Sequence, residues 1–249
     1  MNFLQATILG VVQGITEWLP ISSDGHLVLA QRLMDLQVTV AFDIFLHFGS
    51  LLVIIVFFRQ QLAEMIKSFF HRPNTWPSEQ TKWWIYLLIS TVVTGTIGLL
   101  FYSRIESYRT ISFAASGFLV TSAFVLSSRW GKESRSFNYW IAVLLGLVQG
   151  LAVLPGVSRS GLVLSTALLL GLNKKQAFEY TFILAIPAIA ASFILGVRDL
   201  AWEPIYLWGL FVTIIVGFAS LALLKKILNQ NKFYWFFIYT LILGIILKI

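Results

Sequence analysis

Five predominantly apolar segments of 18 to 21 residues, at 41–58, 83–102, 111–128, 177–197 and 205–224, constrain this chain more than any other feature. About 20 such residues wound as a helix cross the roughly 30 Å hydrocarbon layer of a bilayer. A sixth segment, 233–247, is shorter but opens on Phe233-Tyr234-Trp235-Phe236, an aromatic head suited to a membrane interface. Charged residues make up 12% of the chain and hydrophobic residues 58%, against about a quarter charged in soluble domains. The expected fold is an all-α integral membrane protein with six transmembrane helices, forming a single membrane domain over residues 1–249.

Two further stretches, 3–34 and 137–172, are apolar at both ends and broken in the middle by Pro, Gly, Ser and ionisable residues. Each is too long for one crossing and too interrupted for two. Each is therefore expected to form a re-entrant helix pair, whose irregular backbone at membrane depth has to be lined by protein or water. The two stretches are copies. A shift of 136 brings Leu9-Gly10 onto Leu145-Gly146, Gln13-Gly14 onto Gln149-Gly150, Ser22 onto Ser158, Gly25 onto Gly161, and Ala41-Phe42-Asp43 onto Ala177-Phe178-Glu179. The pairs Leu19-Pro20 and Leu154-Pro155 fall one residue out of register. One hairpin plus three crossings thus occurs twice, over about 1–128 and about 137–249, and the odd number of crossings predicts an inverted-topology repeat. The two hairpin tips are expected to meet near the bilayer midplane, where such proteins place their binding sites.

In this topology twelve Lys and Arg residues fall in loops on one side and five on the other, with Arg159 inside the second hairpin. The richer side is expected to be cytoplasmic and both termini outside. Membrane orientation accounts for the net charge of +7, so no nucleic-acid partner is expected. No basic n-region precedes the first apolar stretch, so no cleaved signal peptide is expected. The absence of cysteine removes disulfides and thiolate metal sites from consideration.

The first tip runs from Gln13 through Glu17, Ser22, Ser23, Asp24 and Gly25 to His26. One helical turn separates Gln13 from Glu17, which places amide and carboxylate on one face. An ionised Glu17 within the apolar layer costs about 2.5 to 3.5 kcal/mol and needs a partner, a metal or a proton. The second tip contains Gly156, Ser158, Arg159, Ser160 and Gly161 ahead of an apolar helix. A guanidinium, hydroxyls and free N–H groups at a helix start suit an anion, and the Arg fork suits phosphate. The combined set fits phosphoryl transfer, with a nucleophile or base opposite a cationic clamp.

Plainer readings stand beside this one. Glu17 and Arg159 could form a purely structural ion pair. His47, in an otherwise apolar crossing, reads as a packing residue, and His71 as a solvated residue of a charged loop. Asp43 and Glu179 read as helix-start caps near the interfaces.

At its two tips the sequence resembles the bacitracin-resistance family of undecaprenyl-diphosphate phosphatases. The resemblance is carried by Glu/Gln-x-x-x-Glu and Pro-x-Ser-Ser-x-Gly-His within 9–26 and by Pro-Gly-x-Ser-Arg-Ser-Gly at 155–161, with a weaker match at 177–187. It implies hydrolysis of a polyprenyl diphosphate lipid to the monophosphate, recycling a carrier for cell-wall polymers. The setting implied is the plasma (inner) membrane, with the site reached from outside. By position, Gln13 and Glu17 fall on a motif linked to a divalent cation, Mg²⁺ or Ca²⁺. Ser23 and His26 fall on the nucleophile and its base in an order left open, and Ser158, Arg159 and Ser160 on the diphosphate clamp. A homodimer is compatible with this picture.

Three residues depart from the family pattern: Gln13 where Glu is common, Asp24 where Thr is usual, and Val163 in place of a Thr. A hard cation prefers carboxylate oxygens, so Gln13 removes a ligand that Asp24 could restore. The hydroxyl missing at Val163 would have to come from Ser165 or Thr166. Two other functions fit the same residues. A lipid-phosphate translocase would use the inverted repeat, and a binding protein without turnover would follow from the departures.

Overall fold

The structure, a computed structural model, describes residues 1–36, 40–70, 79–199 and 202–249; His71 lies outside that set. In chain order the helices are α1 (Phe3–Thr16), α2 (Ser23–Leu33), α3 (Val40–Phe57), α4 (Arg59–Phe70), α5 (Glu79–Tyr102), α6 (Ile105–Tyr108), α7 (Ile111–Ser127), α8 (Tyr139–Leu151), α9 (Arg159–Leu169), α10 (Lys174–Gly196), α11 (Ile205–Asn229) and α12 (Phe236–Ile246). No strand occurs among the described residues.

Helices α3, α5, α7, α10 and α11 are long and apolar enough to cross a membrane, and they match the five long segments to within a few residues. The protein is thus an all-helical integral membrane protein. The sixth segment folds as a 3-10 turn, Phe233–Trp235, followed by the 11 residues of α12. Helix α4 occupies what the sequence suggested was loop. It packs on α5 through buried Met65, whose carbonyl accepts from Trp84 Nε1 at 2.8 Å, and leaves Ile66 and Phe70 exposed.

Helix starts follow from local chemistry. Asn2, Thr110, Asn138 and Asn173 cap α1, α7, α8 and α10, each side chain accepting from the N–H three residues on. At Asn2 the Gln5 side chain accepts in return, completing a capping box. Each broken stretch becomes a helix, a tight turn and a second helix, and α2 and α9 span residues that differ by the same shift of 136.

Small residues position both hairpins. Helix α1 packs on α11 and α8 packs on α5. A Cβ on Gly10 would lie 2.6 Å from Gly209 O, and one on Gly146 would lie 2.7 Å from Ser90 O. Gly14 and Gly150, one turn further along, meet Val216 and Ile97 as closely. These are two Gly-x-x-x-Gly contacts, which let backbones approach where no hydrophobic drive exists between helices. Each is sealed by a threonine, Thr213 Oγ1 donating to Gly10 O at 3.2 Å and Thr94 Oγ1 to Gly146 O at 3.0 Å.

Candidate active site

Helix α1 ends at Glu17, whose N–H still donates to Gln13 O at 3.0 Å. The shared face expected of the pair therefore forms, and Gln13 Nε2 donates to Glu17 Oε2 at 3.1 Å and to Ser50 Oγ at 3.3 Å. Trp18 turns inward and is fully buried against Phe182, anchoring the turn. Ser22 then adopts φ 70°, ψ 104°, a conformation that costs a non-glycine residue about 1–3 kcal/mol and persists only where its surroundings fix it. They do so here. Ser22 Oγ accepts from Gly25 N at 3.3 Å as the cap of α2, and Ser22 O accepts from His26 Nδ1 at 2.7 Å. The reversal leaves Ser23 as the first residue of α2 with its hydroxyl donating to Glu17 Oε2 at 2.6 Å.

The second tip is held by α7. Gly156 has φ +83°, and a Cβ there would overlap the Ala114 carbonyl oxygen. Thr121 Oγ1 accepts from Ser158 N at 2.8 Å and donates to Gly156 O at 3.0 Å. Ser158 caps α9, its Oγ accepting from Gly161 N at 3.1 Å and lying 3.2 Å from Ser160 Oγ. Arg159 is the first residue of α9, as Ser23 is of α2.

The two tips touch. Ser160 Oγ donates to Leu19 O at 3.3 Å, Gly25 lies against Gly156, and Gly161 lies against Pro20. At the centre Arg159 Nη2 forms an ion pair with Glu17 Oε1, the side chains 15% and 4% exposed. Arg159 Nη1 is buried with no hydrogen-bond partner, and so is Gln13 Oε1. One unspent donor and one unspent acceptor thus border the pair, and a buried polar group left unpaired is costly unless something fills the place.

The structure brings together Gln13, Glu17, Ser23, Asp24 and Arg159, with Ser22, Gly25, Gly156, Ser158, Ser160 and Gly161 shaping the turns that hold them. Both ring nitrogens of His26 are engaged by partners other than Ser23. With Nδ1 on Ser22 O, its Nε2 lies 2.7 Å from Tyr239 Oη, and its ring stacks on Tyr239 and meets the edge of Phe118. Val163 is buried in α9, and the Ser165 Oγ and Thr166 Oγ1 hydroxyls near it in the chain are buried without a hydrogen-bond partner. Among the described residues no group of three or more His, Cys, Asp or Glu is arranged to hold a metal ion.

Two plainer readings are corrected. His47 is no packing residue: its Nε2 lies 3.2 Å from Glu17 Oε2 and 3.7 Å from Asp24 Oδ1. Asp43 does lie in the first turn of α3, but it is more than a helix-start residue. It is fully buried, paired with Arg109, and accepts from Gln31 Nε2 at 2.6 Å. The signal for both was present in the sequence: Asp43, His47 and Ser50 are spaced four and three apart, a polar stripe down one face of an apolar helix.

A model of the family described as bacitracin resistance protein BacA matches residues 6–246. The chain belongs to this family. Among BacA-family relatives, an undecaprenyl-diphosphatase of Korarchaeum cryptofilum is 37% identical, with 98% of each chain covered. One of Borreliella burgdorferi is 38% identical, covering 98% of this chain and 97% of its own. Undecaprenyl-diphosphatase 1 of Shouchella clausii is 34% identical across all of this chain and 96% of its own. These names favour hydrolysis over translocation as the family activity.

Proposed function

We propose that this chain hydrolyses a polyprenyl diphosphate to the monophosphate and inorganic phosphate at the junction of the two tips, recycling a lipid carrier for cell-wall synthesis. The observation that carries the reading is the Glu17 carboxylate, shared between the Ser23 hydroxyl of one tip and the Arg159 guanidinium of the other. The names of the relatives agree with it.

Ser23 Oγ attacks the terminal phosphorus while its proton passes to Glu17 Oε2, the acceptor it already faces. The bond from that phosphorus to the bridging oxygen breaks, and the polyprenyl monophosphate leaves with the electron pair. Water then attacks the phosphoserine, Glu17 returns its proton to Ser23 Oγ, and phosphate departs. Arg159 turns its fork to the diphosphate, where the unpartnered Nη1 is one ready donor, and stabilises charge on the transferred group. The N-termini of α2 and α9, capped by Ser22 and Ser158, add favourable dipoles for the anion. His26, held by Tyr239, borders the site rather than serving as the base of Ser23.

A divalent cation, Mg²⁺ or Ca²⁺, fits this arrangement only in part. Both oxygens of Glu17 are engaged, whereas buried Gln13 Oε1 is unpartnered and Asp24 is 35% exposed. Gln13 and Asp24 would hold such an ion together with the phosphates of the substrate, a mode common for Mg²⁺. When bound, it would neutralise charge on the diphosphate.

The membrane arrangement proposed is six crossings plus two re-entrant pairs in an inverted repeat, with both termini outside and the site open to the outer face of the plasma membrane. Helices α1 and α2 pack on each other, as do α8 and α9, and with 14, 11, 13 and 11 residues they suit re-entrant pairs; 233–246 is as short and is taken as the sixth crossing because α12 packs singly along α7. The reciprocal contacts, α1 on α11 and α8 on α5, support the exchange of hairpins between halves.

Purified protein in detergent should release phosphate from a polyprenyl diphosphate. Arg159→Ala should lower kcat by roughly 10²–10³-fold, and Arg159→Lys should remain poor because a point charge loses the fork. Folded wild-type protein that releases no phosphate, with Mg²⁺, with Ca²⁺ or with chelator, would overturn the reading.

A further inference from the structure

We infer that His47, tethered by Asp24, is a positioning residue that fixes the carboxylate oxygen of Glu17 receiving the Ser23 proton. The inference rests on the reading of Glu17 as that proton's acceptor. His47 lies on α3, whereas Glu17 and Asp24 belong to the first hairpin. Its Nδ1 is 2.8 Å from Asp43 O, four residues back on its own helix, so Nδ1 donates there, and Nε2 points at the hairpin, where only carboxylate oxygens face it and it donates as well. There Nε2 faces Glu17 Oε2 at 3.2 Å and Asp24 Oδ1 at 3.7 Å. The ring is 18% exposed and Glu17 4%, against 35% for Asp24, so the Glu17 end of this bridge is the one screened from water.

The two Glu17 oxygens have different partners. Oε1 is paired with Arg159, while Oε2 meets Ser23, Gln13 and His47. A diphosphate competes with Glu17 for Arg159. Once the guanidinium turns to the phosphates, Oε1 loses its cation, and the carboxylate is free to rotate about its last bond and swing away from Ser23. His47 and Gln13 oppose that swing from α3 and α1, and His47 supplies the charged contact. Asp24 keeps the imidazole turned toward the hairpin, which gives a purpose to one of the three departures from the family pattern.

The test is a kinetic double-mutant cycle with His47→Gln, Asp24→Asn and the double variant, alongside His47→Phe. Gln keeps an N–H where Phe keeps none. Each single polar variant should lower kcat about tenfold with KM within about twofold, since positioning of the base affects the chemical step. The double variant should be no slower than His47→Gln, a coupling of tenfold or about 1.4 kcal/mol. His47→Phe should lose about a hundredfold, so that His47→Gln is a partial rescue. Additive losses, a change confined to KM, or equal losses in His47→Gln and His47→Phe would each overturn the pair.

A second measurement separates this inference from the function it rests on. The ring ¹⁵N resonance of His47, assigned by its disappearance in His47→Gln, should shift in Asp24→Asn and in Glu17→Gln. If wild-type protein hydrolyses substrate but the cycle is additive, the pair is refuted and the phosphatase reading stands. If wild-type protein is inactive, that reading falls, and an unshifted His47 resonance in Asp24→Asn refutes the pair by itself.

Discussion

Replacing Gly156 by Ala should disable the site without touching a reactive group. Gly156 has φ +83°, and the left-handed region costs an L-residue roughly 1–2 kcal/mol. The added Cβ would overlap the Ala114 carbonyl oxygen and sit 2.8 Å from Ala114 Cα, where carbon atoms prefer about 3.5–4.0 Å. These atoms are backbone within α7, so the tip has to retreat by about 1 Å. Retreat pulls Ser158 N and Gly156 O off Thr121, and buried groups left unpaired cost about 1–3 kcal/mol each. The total is roughly 3–8 kcal/mol, on the order of a 10–20 °C loss in Tm for a chain this size. Arg159, three residues on, moves with the tip, and a displacement of about 1 Å costs on the order of 10²-fold in rate. Phosphate release and thermal unfolding in detergent measure both effects. Gly98→Ala is the control, because nothing lies within 4 Å of its Cβ, and Ala favours a helix over Gly by up to about 1 kcal/mol. Gly156→Ala protein with Tm within about 2 °C and kcat within twofold of the Gly98→Ala control would refute the reasoning.

Thr121→Val keeps the shape of α7 but removes both hydrogen bonds to the second tip; it should cost about 2–6 kcal/mol, about 1–3 for each group left unpaired, and lower kcat about tenfold, checked by the same two assays. Asp43→Asn should destabilise by about 1–3 kcal/mol, because the buried carboxylate that pairs with Arg109 and accepts from Gln31 is lost. Adding Arg109→Met should recover part of that loss in thermal unfolding, and a further drop in Tm would contradict the pairing.

The hairpins were legible because their interruptions are chemically specific. A helix that stops at Glu17 and restarts after Ser22 announces itself through Pro20, Ser22 and Gly25, and the second does so through Pro155, Gly156 and Ser158. The five long helices followed from length and apolarity alone. What the sequence did not disclose depended on partners distant in the chain. The hold of Thr121 on the second tip joins residues 37 apart, and the Tyr239 contact with His26 joins residues 213 apart. Helix α4 was missed because its polar face and two basic residues look like a loop between crossings, and its half-apolar pattern became meaningful only against α5. His47 was missed for another reason. Read singly, one imidazole among Phe and Leu suggests packing, whereas the stripe it forms with Asp43 and Ser50 is visible only at helical spacing.

Comparing the halves at the shift of 136 separates scaffold from chemistry. Gln13, Ser22 and Gly25 correspond to Gln149, Ser158 and Gly161, and the serine and glycine do the same work in both tips, capping the second helix. Glu17, Ser23, His26 and His47 correspond to Val153, Arg159, Leu162 and Ile183. Each of these four residues thus has an apolar residue or the arginine as its counterpart in the second half. Gln149 shows the consequence. With no carboxylate at 153, its amide turns to Thr94 Oγ1 and Leu184 O, each at 3.3 Å, and ties its hairpin to the helices around it. A protein that presented equivalent sites to both membrane faces would keep its ionisable residues in both copies, since each is costly within the apolar layer and serves only where it is used. Here the two tips that meet differ at 17, 23 and 47, and on the proposed mechanism these differences make their junction a single site with one proton acceptor and one clamp.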